Sequence, residues 1–520
     1  MIASGTDRSG APVVLALRDI SKRFGPLLAN DAIDLELRRG EILALLGENG
    51  AGKTTLMNIL FGHYVADEGE VLVAGASGVL EPLEPGSPHA ALEAGIGMVH
   101  QHFTLAENLT GLENIVLGTG PALSLRLSTG PARRKVAALM KRSGLTVDLD
   151  IQVSRLTVGE KQRVEILKAL YRDARILVMD EPTAVLTPQE AEGLFETVRH
   201  LAETGLAVIF IAHKLAEVLA VSDRIAVLRA GRKVGEMARA DADRRRIAEM
   251  MVGRDVPESR RTPREPGKPL LELREVAVAG ADVRKSLHAV SLMVREGEIV
   301  GIAGVSGNGQ AALAGLVAGL AAPTSGELIL YGDRVTRFDP RRFSRAGIAR
   351  IPEDRHHDGV VGAMTVAENV VIEEVREPGY QSAGFLKRQP IRARALDAIR
   401  DYDVRCPGPD APARLLSGGN IQKLILARVL DRSPRVILAN QPTRGLDVGA
   451  QTEVHRRLLE ARGRGAGVLL ISEDLDELMI VSDRIAVIHN GHLSEPMPAD
   501  TLDRGTLGLM MAGHEEETAA

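Results

Sequence analysis

The chain has 520 residues, with 64 Lys and Arg against 69 Asp and Glu, which gives a formal net charge of −5. This length exceeds what one core holds, because domains usually run to about 100–200 residues. The slight negative charge gives no indication of nucleic-acid binding, for which a basic surface is expected. Cys406 is the single cysteine, which excludes a disulfide framework and a zinc site built from several cysteines.

The sequence predicts neither a signal peptide nor a membrane span. Its first ten residues contain no apolar core. No apolar run approaches the roughly 18–20 residues that are needed to cross a bilayer. We therefore expect any action at a membrane to depend on partner proteins, and the single cysteine fits a reducing cytosol.

The chain repeats itself. Ser222–Val227 recurs at Ser482–Val487, 260 residues later, and the glycine-rich Gly47–Gly52 recurs in altered form at Gly304–Gly309. A repeat of this length predicts two units with one fold. We place the first domain at residues 12–254 and the second at 270–513. The stretch between them, 255–269, is rich in proline and charge and is predicted to be a linker, with an ordered surface loop as the alternative.

Each unit is predicted to be an α/β domain. In the first, residues 13–37 alternate in polarity and indicate short antiparallel strands, broken at Phe24–Pro26 and at Asn30–Asp31. Further along, short apolar runs alternate with helical stretches, which indicates a mostly parallel sheet covered by helices. Residues 105–170 turn helical and predict an inserted helical subdomain.

A glycine-rich loop follows the apolar run 42–46 and fits the phosphate-binding pattern G-x-x-x-x-G-K-[ST]. Glycines let the backbone curl, so that N–H groups and a helix N-terminus point at phosphate oxygens. Lys53 is expected to reach the β- and γ-phosphates of a nucleotide, and the Thr54 hydroxyl to bind Mg²⁺.

Two carboxylates, Asp180 and Glu181, end the apolar strand 176–179. We predict that Asp180 holds Mg²⁺ and that Glu181 orients the attacking water. A later strand ends at His213, whose imidazole could donate to the γ-phosphate, although a histidine in such a place is often structural.

These motifs together resemble an ABC transporter ATPase, and the resemblance covers residues 12–513. The motifs, in chain order, are Gly47–Thr54, Gln101 within 98–103, the signature-like 156–163, Asp180-Glu181, His213 and the second signature 416–422. The resemblance implies two tandem ABC ATPase domains, each with a P-loop α/β core, an antiparallel β subdomain and an inserted helical subdomain. It also implies ATP and Mg²⁺ as cofactors.

The resemblance also implies roles for individual residues. Gln101 would sense Mg²⁺ and the γ-phosphate, and Phe24 would stack on adenine, unless Phe24 is a buried strand residue. The signature of one unit would close over the phosphate loop of the other. Catalysis is thus assigned to Glu181, His213 and Gln101, and the metal to Thr54, Gln101 and Asp180. The nucleotide contacts are expected from Phe24, Gly47, Glu48, Asn49, Gly50, Ala51, Gly52, Lys53, Thr54, Thr55, Ser417, Gly418 and Gly419.

The second phosphate loop departs from the pattern at each catalytic position, while its glycines remain. The substituted residues are Gln310 for the lysine, Ala311 for the hydroxyl, Asn440 and Gln441 for the two carboxylates, Glu353 for the glutamine and Glu473 for the histidine. The metal site loses its charged ligand, and two glutamates are expected near the place of the γ-phosphate. We therefore predict one hydrolytic site and one degenerate site.

Two fused ATPase units without spans resemble the ATP-binding subunit of a carbohydrate-uptake importer. Residues 100–103, 183–189 and 440–450 favour the nucleoside branch over simple sugars. The implied partners are two transmembrane permeases and, through them, an extracytoplasmic substrate-binding protein, with no nucleic acid. The chain is then expected at the cytoplasmic face of the membrane. The alternative is a twin-ATPase translation factor on the ribosome, whose members typically keep both sites and carry a longer charged linker.

Overall fold

The computed structural model divides into two compact units, Met1–Val256 and Pro257–Ala520. It describes residues 10–48, 50–75, 77–100, 103–119, 129–183, 186, 188–212, 214–253, 261–280, 285–511 and 513. Each unit carries one four-stranded sheet and one larger sheet. The α/β class with an antiparallel subdomain is therefore confirmed in both.

The first unit has ten described strands and eight described helices. The strands are β1 (Val13–Phe24), β2 (Leu27–Arg38), β3 (Ile42–Gly47), β4 (Glu68–Ala74), β5 (Leu80–Pro82), β6 (Ile96–Val99), β7 (Ile176–Asp180), β8 (Ala207–Ile211), β9 (Arg224–Arg229) and β10 (Arg232–Ala238). The helices are α1 (Lys53–Leu60), α2 (Pro88–Glu93), α3 (Gly111–Val116), α4 (Thr129–Ser143), α5 (Val158–Tyr171), α6 (Pro188–Glu203), α7 (Leu215–Val221) and α8 (Arg244–Val252).

The central sheet of the first unit has the order β10-β9-β3-β8-β7-β6, and its strands are parallel except β10. Strands β3 and β8 are buried along their whole length, as expected for a sheet covered on both faces. The carboxyl ends of β3 and β7 meet at one edge of this sheet. That edge is where the phosphate loop and the acidic pair follow their strands.

The antiparallel sheet of the first unit has the order β2-β1-β4-β5. The predicted break at Phe24–Pro26 is the turn of the β1–β2 hairpin, but the predicted break at Asn30–Asp31 is wrong. Strand β2 continues through it, with Ala32 in the left-handed region at φ 49°. Pairing with β1 absorbs the irregularity as a shift of register, which the polarity pattern alone could not distinguish from a turn.

The second unit repeats this plan. Its strands are β11 (Pro269–Val278), β12 (Leu287–Arg295), β13 (Ile299–Ala303), β14 (Ser325–Leu330), β15 (Asp333–Arg334), β16 (Ile348–Ile351), β17 (Gln381–Ser382), β18 (Phe385–Leu386), β19 (Val436–Asn440), β20 (Gly467–Ser472), β21 (Arg484–His489), β22 (His492–Leu493) and β23 (Met497–Pro498). Its helices are α9 (Gln310–Val317), α10 (Pro340–Arg345), α11 (Val366–Val371), α12 (Arg388–Asp401), α13 (Gly418–Leu430), α14 (Val448–Gly463), α15 (Leu475–Val481) and α16 (Arg504–Met511).

The larger sheet of the second unit has the order β16-β19-β20-β13-β21-β22. The inserted helical stretch is also present in both units, as α3 to α5 and as α11 to α13. Residues 255–260 of the predicted linker lie outside the described residues. The remainder packs on the second unit, where Arg264 donates to the Gly463 carbonyl at 2.6 Å.

Candidate functional site

The first phosphate loop connects the buried strand β3 to helix α1. Gly50 and Gly52 have φ of 85° and 98°, a region that side chains other than glycine rarely adopt. A Cβ on Gly52 would also lie 2.3 Å from the Ala29 carbonyl oxygen, so no larger residue fits there. Gly52 caps α1 without a side-chain hydrogen bond. The first N–H groups of α1 lie at a helix N-terminus, which is an arrangement that favours anion binding.

Lys53 lies in this loop with only 8% of its surface exposed. Its ammonium donates to the Gly47 carbonyl at 2.6 Å and to the Glu48 carbonyl at 3.1 Å. A buried cation held by loop carbonyls is positioned to meet a phosphate that the same loop surrounds. Asn49, the third residue of the loop, lies outside the described residues.

The acidic pair lies within electrostatic range of Lys53. Burial raises the pKa of Asp180, the neighbouring charge of Glu181 raises it further, and Lys53 opposes both effects. Two carboxylates this close repel each other, and a cation between them and the phosphates would relieve the repulsion. Their position at the end of β7 thus suits a magnesium site.

Glu181 has an unusual backbone conformation. Its φ is 46°, and its N–H donates to the Ile211 carbonyl at the end of β8, at 3.0 Å. A residue with a Cβ pays about 1 kcal/mol or more to sit in this region. Gln441 repeats the geometry in the second unit, with φ of 50° and a 2.8 Å bond to the Ile471 carbonyl. The strained turn is thus retained where the carboxylate is not.

Three predicted site residues, Asn49, Gln101 and His213, fall outside the described residues, so their placement stays a prediction. Within the described part of the chain, no cluster of three or more His, Cys, Asp and Glu could hold a metal ion. Mg²⁺ is usually held by one or two carboxylates together with hydroxyl, phosphate and water oxygens, and Asp180 could supply one such carboxylate.

Phe24 ends β1 and is 42% exposed, so it is not a buried strand residue. The Tyr64 ring meets it edge-to-face at a centroid distance of 5.4 Å, and the Lys22 ammonium lies 5.6 Å from its centroid. Asp67 fixes this end of β1 by accepting from Lys22 at 2.8 Å and from the Arg23 N–H at 2.7 Å. The ring is thus supported at its edge, with surface left for a stacked base.

Gln162 and Gln422 received no role from the sequence, yet each joins a signature helix to the loop that follows β7 or β19 in its own unit. Gln162 donates to the Pro182 carbonyl at 2.7 Å, and Gln422 donates to the Pro442 carbonyl at 2.8 Å. Both glutamines are buried. Their recurrence at the repeat spacing was the signal that could have identified them. They join each signature helix directly to the residue that follows Glu181 or Gln441.

The degenerate loop of the second unit satisfies its own polar groups. Gln310 donates to the Val305 carbonyl at 2.6 Å and accepts from the Asn308 N–H at 3.1 Å. Asn440 is buried, and its Oδ1 accepts no hydrogen bond within the described residues. A neutral amide thus stands at the place of Asp180, the carboxylate that we predict to bind the metal.

The sequence analysis expected the Glu353 carboxylate near the place of the γ-phosphate and gave it no partner. In the structure, Glu353 forms an ion pair with Arg444 at 2.5 Å. Gln441, at the position that corresponds to Glu181, accepts from the Glu473 N–H at 3.3 Å. The glutamate that replaces Gln101 is therefore partly neutralised, and the second unit keeps no described pair of adjacent carboxylates after β19.

Comparison with known proteins assigns the family. The profile described as ABC transporter matches residues 30–184 and 287–444. The chain is 44% identical to the nucleoside import ATP-binding protein NupA of Lactococcus lactis subsp. cremoris, over 96% of this chain and 98% of that protein. It is also 44% identical to the glucose import ATP-binding protein TsgD13 of Haloferax volcanii, over 97% of this chain and 96% of that protein.

Among solved structures, the chain is similar to an archaeal ribosome recycling factor in complex with a ribosomal stalk protein. The TM-score is 0.62 at 21% identity, and the match covers 92% of this chain and 90% of that one. At this identity the likeness shows a shared fold and carries no argument about activity.

Proposed function

The chain belongs to the ABC transporter family, and on that premise we propose that it energises import of a nucleoside or simple sugar through separate membrane permeases. Members of this family hydrolyse ATP and couple the reaction to transport. The observation that carries the proposal is the placement of two features at one edge of the central sheet: Lys53, buried against the loop carbonyls after β3, and the Asp180–Glu181 pair at the end of β7.

ATP is proposed to bind in the first phosphate loop. The backbone N–H groups of residues 47–55 and the Lys53 ammonium would hold the phosphates, and the exposed face of Phe24 would take the adenine. Thr54 and Asp180 supply the oxygen ligands that suit Mg²⁺, with Gln101 as a third candidate. The ion, when bound, would neutralise charge on the phosphates.

Hydrolysis is proposed to depend on Glu181 as the group that orients and polarises the attacking water. The position of Glu181 supports this role, because it directly follows Asp180 at the end of β7, at the sheet edge where the phosphate loop follows β3. His213 is proposed to donate to the γ-phosphate. Ser417, Gly418 and Gly419 of the second unit are proposed to complete this site, by the cross-paired arrangement that the family resemblance implies.

The second site is proposed to be non-hydrolytic. Gln310 uses both ends of its amide within the loop, and Asn440 and Gln441 offer no charge to a metal. We retain 12–254 and 270–513 as the proposed domain limits, with a linker at 255–269.

The partners are proposed to be two permeases and, through them, an extracytoplasmic substrate-binding protein. None of the helices in the described part of the chain is long and apolar enough to cross a membrane. Attachment at the cytoplasmic face would then be peripheral, through the permeases. The translation-factor alternative has less support, because the full-length relatives are import proteins and the likeness to the recycling factor is one of fold.

Uptake measurements test this proposal and identify the substrate class. A strain lacking this chain is supplied with wild type or with Lys53→Ala, and uptake of labelled nucleosides, pentoses and hexoses is compared. We expect one class to be taken up only with wild type. Equal uptake of every class in the presence and absence of the chain would contradict the proposal.

A further inference from the structure

Asn30 is a polar residue that β2 buries completely against the first phosphate loop. Its Nδ2 donates to the Gly52 carbonyl at 3.1 Å, so the side chain reaches the last glycine of that loop. A Cβ on Gly52 would lie 2.5 Å from the same nitrogen. The Oδ1 of Asn30 is also buried, and in the described part of the chain it has no hydrogen-bond partner. Asn30 thus supports the loop from a strand of the antiparallel sheet.

Packing alone does not explain an asparagine at this position. A buried polar atom without a partner costs stability. Counting back from the last glycine of each phosphate loop pairs Asn30 with Leu287, which begins β12 and is 1% exposed. Leucine fills the corresponding position of the second unit and leaves no unpaired oxygen there. The amide of Asn30 is therefore better explained by its bond to the loop than by its fit in the core.

The bond from Asn30 fixes the peptide that joins Gly52 to Lys53. The Gly52 carbonyl accepts from Asn30 Nδ2 at 3.1 Å and from the Leu56 N–H at 2.9 Å. A trans peptide unit is planar, so its C=O and N–H groups point in opposite directions. The Lys53 N–H therefore points away from both donors, toward the N-terminal end of α1. A helix binds anions at that end.

The carbonyl just before this peptide is held in the same way in both units. The Gly231 N–H donates to the Ala51 carbonyl at 3.2 Å, and the Gly491 N–H donates to the Asn308 carbonyl at 3.0 Å. This backbone contact supports each loop from the turn that follows the neighbouring strand, β9 or β21. It therefore does not distinguish the intact loop from the degenerate one.

The side-chain bond does distinguish the two loops. The Gly309 carbonyl, which corresponds to that of Gly52, accepts from the Leu313 N–H at 3.0 Å. Leu287 offers no side-chain donor to it. The second hydrogen bond to this carbonyl is thus present in the unit that keeps the phosphate-binding lysine and is lost in the unit that does not.

We propose that Asn30 is a positioning residue for ATP, which holds the Gly52 carbonyl and so keeps the Lys53 N–H directed at the phosphates. The inference rests on the proposed function, in which ATP occupies the first phosphate loop. It adds a residue of the antiparallel sheet to the loop residues that the family resemblance assigns. Leu287 then weakens the second loop independently of Gln310.

Steady-state hydrolysis by the full chain with its permeases tests this role. Asn30→Leu copies the second unit and removes the donor. We expect the KM for ATP to rise about tenfold with kcat within about twofold of wild type, because a hydrogen bond to a charged group is weakened in the ground state and the transition state alike. Asn30→Ser removes the amide without adding bulk and should show the same rise in KM. Leu287→Asn is the matched change in the second unit and should leave KM unchanged.

Thermal unfolding separates positioning from support of the fold. Asn30→Leu removes an unpaired buried oxygen, so its Tm should equal or exceed that of wild type. A higher KM at an equal or higher Tm supports the inference. An unchanged KM in both Asn30 variants would overturn it. A lower kcat at constant KM, together with a lower Tm, would also overturn it, because that is the behaviour of a partly unfolded sample.

The same assay separates this inference from the proposed function. Wild type and Lys53→Ala are measured in parallel, and a chain whose hydrolysis does not depend on Lys53 would contradict the proposed function. Lysine-dependent hydrolysis with the same KM in wild type and in both Asn30 variants would contradict the inference alone.

Discussion

Lys53 and Gln310 occupy the first position of the helix after their phosphate loops, and each side chain donates to a loop carbonyl at 2.6 Å. The two loops therefore have a similar backbone conformation and differ in the charge of this side chain. Lys53 brings a positive charge and a second bond to Glu48, whereas the Gln310 amide also accepts from Asn308 within the loop. Charge, rather than loop shape, distinguishes the two sites.

Of the two exchanges, only the one at Lys53 should change the rate of ATP hydrolysis. Lys53→Gln should lower ATP hydrolysis on the order of 10²-fold, because a charge aimed at the phosphates is lost. Gln310→Lys should leave the second site inactive, since Ala311, Asn440 and Gln441 still supply no metal ligand or catalytic carboxylate. Steady-state ATP hydrolysis by the two variants checks both expectations. A second active site in Gln310→Lys would contradict the explanation given for its silence.

Substitution of the signature glycines should show which signature serves the hydrolytic site. Gly419→Asp should impair hydrolysis by about tenfold or more, because it sets a carboxylate at the signature proposed to meet the γ-phosphate. A side chain there meets only Ala450 at 3.6 Å, so the fold should tolerate it. Gly159→Asp is the matched change in the other signature and should be much milder. If Gly159→Asp were equally damaging at unchanged Tm, the cross-paired arrangement or the silence of the second site would be wrong.

Much of this site was predictable from the sequence because it is local. The loop between β3 and α1, the strand ends at Asp180 and Asn440, and the inserted helices each depend on neighbouring residues, and the structure confirms these elements. The roles of the site residues stay predictions. The contacts that modify the site join distant positions. One such contact is the ion pair between Glu353 and Arg444, and another is the close approach of the Glu190 carboxylate to Gly159. Both are determined by packing, which leaves no periodic signal in the sequence. The wrong break at Asn30–Asp31 arose because a polar pair in a bulged strand resembles a turn.

The stabilisation that Asp67 gives to the end of β1 beside Phe24 should depend on pH. Hydrogen bonds from the Lys22 side chain and the Arg23 N–H hold the pKa of Asp67 below its ordinary value of 3.8. A carboxylate whose pKa is lower in the folded than in the unfolded state stabilises the fold at any pH above its unfolded-state pKa. This stabilisation is lost as the pH falls through the folded-state pKa. Wild type should therefore exceed Asp67→Asn in Tm at neutral pH, with the difference shrinking below pH of about 4. A difference that stays constant down to pH of about 2 would contradict this role.

Recruitment to membranes should require the permeases. Expressed alone, the chain should stay in the supernatant after ultracentrifugation. Expressed with two cognate permeases, it should sediment with membranes and be released by alkaline carbonate or high salt, because it would be held by protein contacts and not by a span. Sedimentation with ribosomes in place of membranes would favour the translation-factor alternative.

The single catalytic carboxylate is tested most directly by comparing Glu181→Gln with Gln441→Ala in the full chain with its permeases. We predict that Glu181→Gln binds ATP but hydrolyses it about 10²–10⁴-fold more slowly, because the group that polarises water is lost. Gln441→Ala, which removes the equivalent residue of the second unit, should hydrolyse ATP near the wild-type rate. Wild-type hydrolysis by Glu181→Gln, or an equal loss in Gln441→Ala, would contradict an ATPase with one hydrolytic site in its first unit.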